Sequence, residues 1–170
     1  FKNLIKFSKI KKTPISINLV ISNTHKAKGL KYADQVNIKK KIFSFKDIKH
    51  TEKKILTLLK KEKINFICLA GFMKIISRNF IKQFDGKIIN IHPSLLPKYK
   101  GLNTHRRAIA NKDKFSGCTV HYVTEKLDSG KIIMQKRIKV TAKDNALSLA
   151  KKVLKQEHKL YPAAIMKIFN

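Results

Sequence analysis

The feature that most constrains this chain is a pair of apolar runs, Ile64 to Ala70 and Lys87 to Ile91, with a segment of helical period between them. The first run is almost unbroken and ends in Gly71. An apolar stretch of that length without polar alternation suits a strand covered on both faces, as in a parallel sheet packed between helices. The intervening Ser77 to Phe84 has helical spacing, with Ser77 as its cap. Strand, helix and strand in close succession predict an α/β fold, in which ligands are held beyond the carboxyl ends of the strands.

The remainder of the chain extends this pattern. Phe1 to Lys9 has the spacing of a short amphipathic helix, and the run Ile15 to Ile21 after Pro14 predicts a strand. A helix over Leu30 to Gln35, short strands over Val36 to Ile38 and Lys41 to Phe45, and a helix over Thr51 to Lys63 capped by Thr51 follow. Beyond the second apolar run, His92 to Asn103 is a long irregular segment with two prolines and a glycine, and long loops in compact domains are usually functional or disordered. Thr104 to Asn111 reads as a helix. Cys118 to Thr124 and Lys131 to Val140 read as strands joined by the loop Glu125 to Gly130. Asp144 is the expected cap of a last helix that Pro162 should kink or divide. The expectation is one domain over 1–170, α/β, with a mainly parallel sheet flanked by helices. No internal repeat or low-complexity linker interrupts it.

The formal net charge of +29 raises nucleic acid as a partner. All but four of the 39 basic residues are lysines, however, the arginines being Arg78, Arg106, Arg107 and Arg137. A chain-wide bias of that kind spreads charge over every solvated face, whereas a nucleic-acid footprint gathers arginines that fork onto phosphates. Nucleic acid is therefore not expected as a partner. Cys68 and Cys118 are the only cysteines, and Cys68 lies in an apolar run, so a reducing, cytoplasmic setting without a disulfide is expected. No apolar stretch reaches membrane-spanning length, and no signal peptide is visible. The chain opens at Phe1 in a helical pattern, without methionine, and a piece is expected to be missing before it.

The residues able to do chemistry lie around the irregular loop. Asn90 and His92 are two apart on a strand and so share a face, where an amide could donate to an oxyanion and an imidazole could exchange a proton near neutrality. The structural alternative is an asparagine closing a turn and a histidine bonding to the next loop. Asp128, in Leu127-Asp128-Ser129-Gly130, either closes its own turn or faces His92, favouring the charged imidazole and fixing its orientation. His121 sits mid-strand and reads as a structural histidine, while His105 either meets an anion or begins a helix. The spacing of His92, His105 and His121 matches no zinc signature, so no metal is expected. Glu157 falls on the apolar stripe of the last helix, and either reaches solvent past its edge or holds a ligand hydroxyl.

Three blocks carry a resemblance. Ala70-Gly71-Phe72-Met73-Lys74-Ile75-Ile76-Ser77, Asn90-Ile91-His92-Pro93-Ser94-Leu95-Leu96-Pro97 and Gly101-Leu102-Asn103-Thr104-His105 resemble the phosphoribosylglycinamide formyltransferases, in the formyltransferase family. Gly117 to Thr124, Leu127 to Gly130 and Gln156-Glu157-His158 follow in the same order. The resemblance implies a Rossmann-like formyltransferase fold. It also implies transfer of a formyl group from 10-formyltetrahydrofolate to the amine of glycinamide ribonucleotide, without a metal. Asn90 would hold the formyl oxygen, His92 would donate a proton and stabilise charge, and Asp128 would favour the protonated histidine and relay the amine proton. Met73, Lys74, Ile75, Ile76, Asn90 and Glu125 would meet the folate, with Leu69, Ile81 and Val123 as apolar walls. Glu157 would contact the nucleotide, and a cis bond is implied at Leu96–Pro97. A monomer or weak dimer is expected.

The sequence departs from the family pattern in three places. It opens after the family's first strand and glycine-rich phosphate turn, stops soon after Phe169, and carries Lys74 where the family has arginine. Weak ribonucleotide binding and an exposed sheet edge are the expected consequences. Methionyl-tRNA formyltransferase shares the Asn, His and Asp but has a further domain and a different loop after the histidine. Formyltetrahydrofolate hydrolase differs mainly at Pro93 and Leu95-Leu96-Pro97. A basic nucleic-acid-binding module would need aromatic residues interleaved with the lysines, and the chain has no such run.

Overall fold

The computed structural model describes residues 1–170, which divide into two compact units, Phe1–Ile67 with Lys82–Lys87 and Cys68–Ile81 with Ile88–Asn170.

The first unit contains α1 (Lys2–Ser8), β1 (Leu19–Ser22), α2 (Lys28–Gln35), β2 (Lys39–Ile42) and α3 (Ile48–Lys61). β1 and β2 pair in parallel, from Leu19 opposite Lys39 to Ser22 opposite Ile42, with α2 as the crossover. β2 begins at Lys39, so the strand expected from Ile15 starts only at Leu19, where it meets a partner. Val36 ends α2 and Asn37 turns at a φ of 54°, which leaves one strand over Lys39–Ile42 in place of the two expected. α3 is capped by Asp47, not Thr51. The Asp47 carboxylate accepts from the His50 N–H at 3.1 Å, and Thr51, inside the first turn, donates its hydroxyl to Ser44 O at 2.6 Å. Leu4, Ile5, Leu30, Ala33, Ile55 and Leu59 are buried in this unit.

In the second unit the end of β3 (Phe66–Leu69) joins β4 (Lys87–His92), β5 (Phe115–Tyr122) and β6 (Ile132–Lys139) in a sheet of order β3–β4–β5–β6. α4 (Arg78–Gln83), α5 (Thr104–Ala110) and α6 (Ala146–Phe169) complete the expected α/β pattern. Ser77 caps α4, its hydroxyl accepting the Phe80 N–H at 3.1 Å. The pairings β4–β5 and β5–β6 are antiparallel. The link from β5 to β6 is a hairpin, and only an antiparallel pair can be closed by a connection that short. β5 begins at Phe115 rather than Cys118, because Phe115 to Gly117 pair with Lys139 to Arg137. Gly117 permits that pairing: a Cβ there would lie 2.0 Å from Lys136 O.

α6 lies against β5 and β6. Its cap is Asn145, not Asp144, through a reciprocal box in which Asn145 Oδ1 accepts Ser148 N–H at 2.9 Å and Ser148 Oγ accepts Asn145 N–H at 3.0 Å. Asp144 instead accepts from the Ser148 hydroxyl and pairs with Lys152 at 2.6 Å. Pro162 does not divide the helix. Leu160 and Tyr161 before it and Ala164 and Ile165 after it are all buried, and burial on both sides outweighs one lost backbone hydrogen bond. The Tyr161 hydroxyl lies 2.8 Å from Leu69 O and 3.2 Å from Ile89 O, tying α6 to neighbouring strands.

Candidate active site

The register of β4 on β5 sets up the site. Asn90 lies opposite His121 and His92 opposite Thr119. Opposed residues and residues two apart share a face, so these four polar side chains project together, while Ile89, Ile91 and Val120 fill the other face. His92, Thr119 and His121 are all buried. A β-bulge interrupts the β5–β6 pairing at the step from Val120 to His121. Val120 pairs with Met134 but His121 with Ile132, which leaves Ile133 unpaired, and its carbonyl accepts from Lys167 Nζ at 3.2 Å.

The β5–β6 loop supplies the carboxylate. Asp128 takes a φ of 45°, a left-handed conformation that Asp tolerates better than most residues, and its side chain is only 7 % exposed. Asp128 Oδ2 accepts the Gly101 N–H at 2.8 Å and lies 3.4 Å from His92 Nδ1, while Oδ1 lies 3.6 Å from His121 Nε2. On the far side of the ring, His92 Nε2 donates to Tyr99 O at 2.8 Å. Both nitrogens of His92 therefore face acceptors, which fixes the orientation of the ring.

His121 is held the opposite way. Its Nδ1 donates to Tyr122 O at 2.8 Å, which leaves Nε2 as a lone pair 3.4 Å from Asn90 Nδ2. Burial depresses its pKa, and the neighbouring His92 adds to that, against the opposing pull of the Tyr122 carbonyl and Asp128. The sequence suggested a structural histidine here. The structure sets Nε2 of His121 against the Asn90 amide and 3.6 Å from Asp128 Oδ1.

The loop after His92 is clamped to the sheet. Thr119 Oγ1 donates to Ser94 O at 2.7 Å and accepts from Leu96 N at 3.1 Å and from Gln135 Nε2 at 2.8 Å. Gln135 Nε2 also donates to Leu96 O, and Leu96–Pro97 is cis, as the resemblance implied. Further along, Lys100 Nζ donates to Ser129 Oγ and Arg107 donates to Lys100 O. Sequence reasoning missed Thr119, Gln135, Tyr99 and Gly101. The alternation of Thr119 and His121 was the one available signal, and it gains meaning only once it is placed opposite Asn90 and His92.

The other expected site residues are more dispersed. Met73 and Ile75 are 78 % and 62 % exposed, Lys74 is exposed, and Ile76 is half-buried. Leu69, Ile81 and Val123 are half-buried, and Glu125 pairs with Arg78 at 2.7 Å, both being exposed. Glu157 is half-buried on α6, where burial raises its pKa; burial, and then the charge of Glu157, raises that of Cys118. No hydrogen bond or ion pair joins Met73 to Ile76, or Glu157, to Asn90, His92 or Asp128. No group of three or more His, Cys, Asp or Glu side chains could hold a metal, and no helix is long and apolar enough to cross a membrane.

An amide N–H, an imidazole and a buried carboxylate thus converge from β4 and the β5–β6 loop. Such a set can stabilise a developing oxyanion and move a proton beside it. A family model described as formyl transferase matches residues 1–165. Phosphoribosylglycinamide formyltransferase of Haemophilus influenzae is 40% identical over 155 residues, covering 89% of this chain and 73% of that protein. The trifunctional purine biosynthetic protein adenosine-3 of Homo sapiens is 40% identical over 152 residues, and the chain spans 15% of its length. The crystal structure of phosphoribosylglycinamide formyltransferase from Brucella melitensis superposes with a TM-score of 0.92 at 42% identity, covering 98% of this chain and 88% of that one. By sequence match, by fold and by the blocks that build the site, the chain belongs to the formyl transferase family.

Proposed function

We propose that this chain transfers a formyl group from 10-formyltetrahydrofolate to the amine of glycinamide ribonucleotide, in purine biosynthesis. The observation that carries the reading is the placement of His92 between Tyr99 O and Asp128, with Asn90 two residues before it on the same face. The names of the relatives and the Asn-Ile-His-Pro-Ser-Leu-Leu-Pro block favour this acceptor over water or an aminoacyl-tRNA.

In this reading the substrate amine nitrogen bonds to the formyl carbon, and the carbonyl electron pair moves onto oxygen. Asn90 donates its amide N–H to that oxygen, and the charged ring of His92 faces the same developing negative charge. Asp128 holds the ring in place and receives the proton released by the amine. As the tetrahedral centre collapses, the bond from carbon to the folate nitrogen breaks, and that nitrogen takes a proton from His92, which Asp128 restores with the one it received from the amine. The exposed side chains of Met73 and Ile75 offer an apolar surface to a flat ring, and the half-buried Leu69, Ile81 and Val123 serve as its apolar walls. Glu157, with no hydrogen-bonding partner of its own, holds a hydroxyl of the nucleotide. No step requires a metal. Free thiols at Cys68 and Cys118 suit a reducing cytoplasm.

The test is to mix the protein with 10-formyltetrahydrofolate and glycinamide ribonucleotide and to follow loss of the formyl donor. Loss that depends on the nucleotide supports the proposal. Equal loss without it makes the protein a hydrolase, and no loss at all refutes formyl transfer by this chain.

A further inference from the structure

We propose that His121 is a positioning residue for Asn90: its bare Nε2 accepts one N–H of the Asn90 amide and so aims the other at the substrate oxygen. This rests on the formyl-transfer reading above. A primary amide can be turned over without changing its shape, but only one orientation presents donors to the cleft. The 2.8 Å bond from His121 Nδ1 to Tyr122 O places the ring proton on Nδ1, so Nε2 offers a lone pair to the Asn90 amide 3.4 Å away. With the amide reversed, an oxygen would face that lone pair, and the orientation is thereby selected. The bulge at Ile133 falls at the step from Val120 to His121, and bulges re-aim side chains next to functional sites.

The same geometry ties the arrangement to proton uptake. The groups facing His121 are Asn90 and His92 from β4, Asp128 from the β5–β6 loop, and the Tyr122 carbonyl from its own strand. A second proton on Nε2 would point either at Asn90 Nδ2, donor against donor, or at Asp128 Oδ1, 3.6 Å away, where it competes with His92 for the carboxylate. Either way the amide loses its anchor, so protonation of His121 lowers turnover on the acid side.

The variants H121L, H121Q and N90A, and the double variant N90A/H121L, test this. Leucine fills the space without an acceptor; glutamine offers an oxygen near the place of Nε2 and does not titrate. H121L should lower kcat by about tenfold to 100-fold, less than outright loss of the donor, with both KM values within about threefold. H121Q should recover most of that loss and flatten the acid limb of the kcat profile. In N90A, adding H121L should change kcat by less than about threefold, since the group His121 orients is already gone. A kcat within twofold of the parent in H121L, additive losses in the double variant, or an unchanged acid limb in H121Q overturns the proposal.

Nitrogen NMR of the parent protein supplies a readout independent of activity. A neutral His121 with its proton on Nδ1 is expected, and a proton on Nε2 refutes the proposal even if H121L fails to fold. If the parent protein shows no turnover, the formyl-transfer reading fails. If it turns over but residues 90 and 121 act independently, only the role of His121 fails.

Discussion

Asp128 reaches His92 across two loops: its Oδ2 lies 3.4 Å from His92 Nδ1 while accepting the Gly101 N–H at 2.8 Å. One carboxylate oxygen therefore faces the ring and fastens the loop that follows it. Asp128→Asn keeps the size and an acceptor for Gly101 but removes the charge facing the imidazole. The expected result is a kcat lower by about 10² to 10³, with little change in unfolding midpoint, measured by steady-state kinetics beside denaturant titration.

Asn90→Ala removes the donor to the developing oxyanion. The expected loss is about 2.7–4 kcal/mol of barrier, appearing in kcat far more than in either KM. A loss confined to KM would mean that Asn90 binds substrate without stabilising charge.

Thr119 is fully buried, and its hydroxyl serves Ser94 O, Leu96 N and Gln135 Nε2 together. Thr119→Val preserves the shape and strands those groups, so destabilisation of about 1–3 kcal/mol is expected. Hydrogen exchange at Leu96 should accelerate, because its N–H loses its acceptor.

His105 and His121 are both held neutral, His105 by burial and then by the charge of His92. Their ordinary value is 6.5, so below it the unfolded chain binds protons that the folded chain refuses until the pH is lower still. Their contribution to stability is complete above pH 6.5 and is lost on acidification below it. Denaturant midpoints measured across that range should fall with falling pH, and less steeply in His121→Gln.

Burial pushes the thiols of Cys68 and Cys118 up to about 12. At pH 8 only about one thiol in 10⁴ is then ionised, and the thiolate is the reacting species. A disulfide reagent should therefore leave the native protein unlabelled over minutes and modify both cysteines once it is unfolded.

The sequence by itself determined the α/β class, because the apolar runs Ile64 to Ala70 and Lys87 to Ile91, parted by a segment of helical period, call for strands, although β3 is only half-buried along its length and not covered on both faces as expected. It also brought Asn90 and His92 to one face, because side chains on a strand alternate. Local chemistry was less decisive where neighbours compete. Asp47 displaced Thr51, and Asn145 displaced Asp144, because a cap depends on which side chain meets an open N–H. Pro162 stayed within α6 because buried residues flank it on both sides. Tertiary structure alone decided that Asp128 faces His92 and that His121 and Thr119 lie beside them. Those residues are far apart in sequence, and only the antiparallel register of β4 on β5 and the β5–β6 hairpin bring them together. Pairing across strands is a property of two segments at once, and no spacing within either one encodes it.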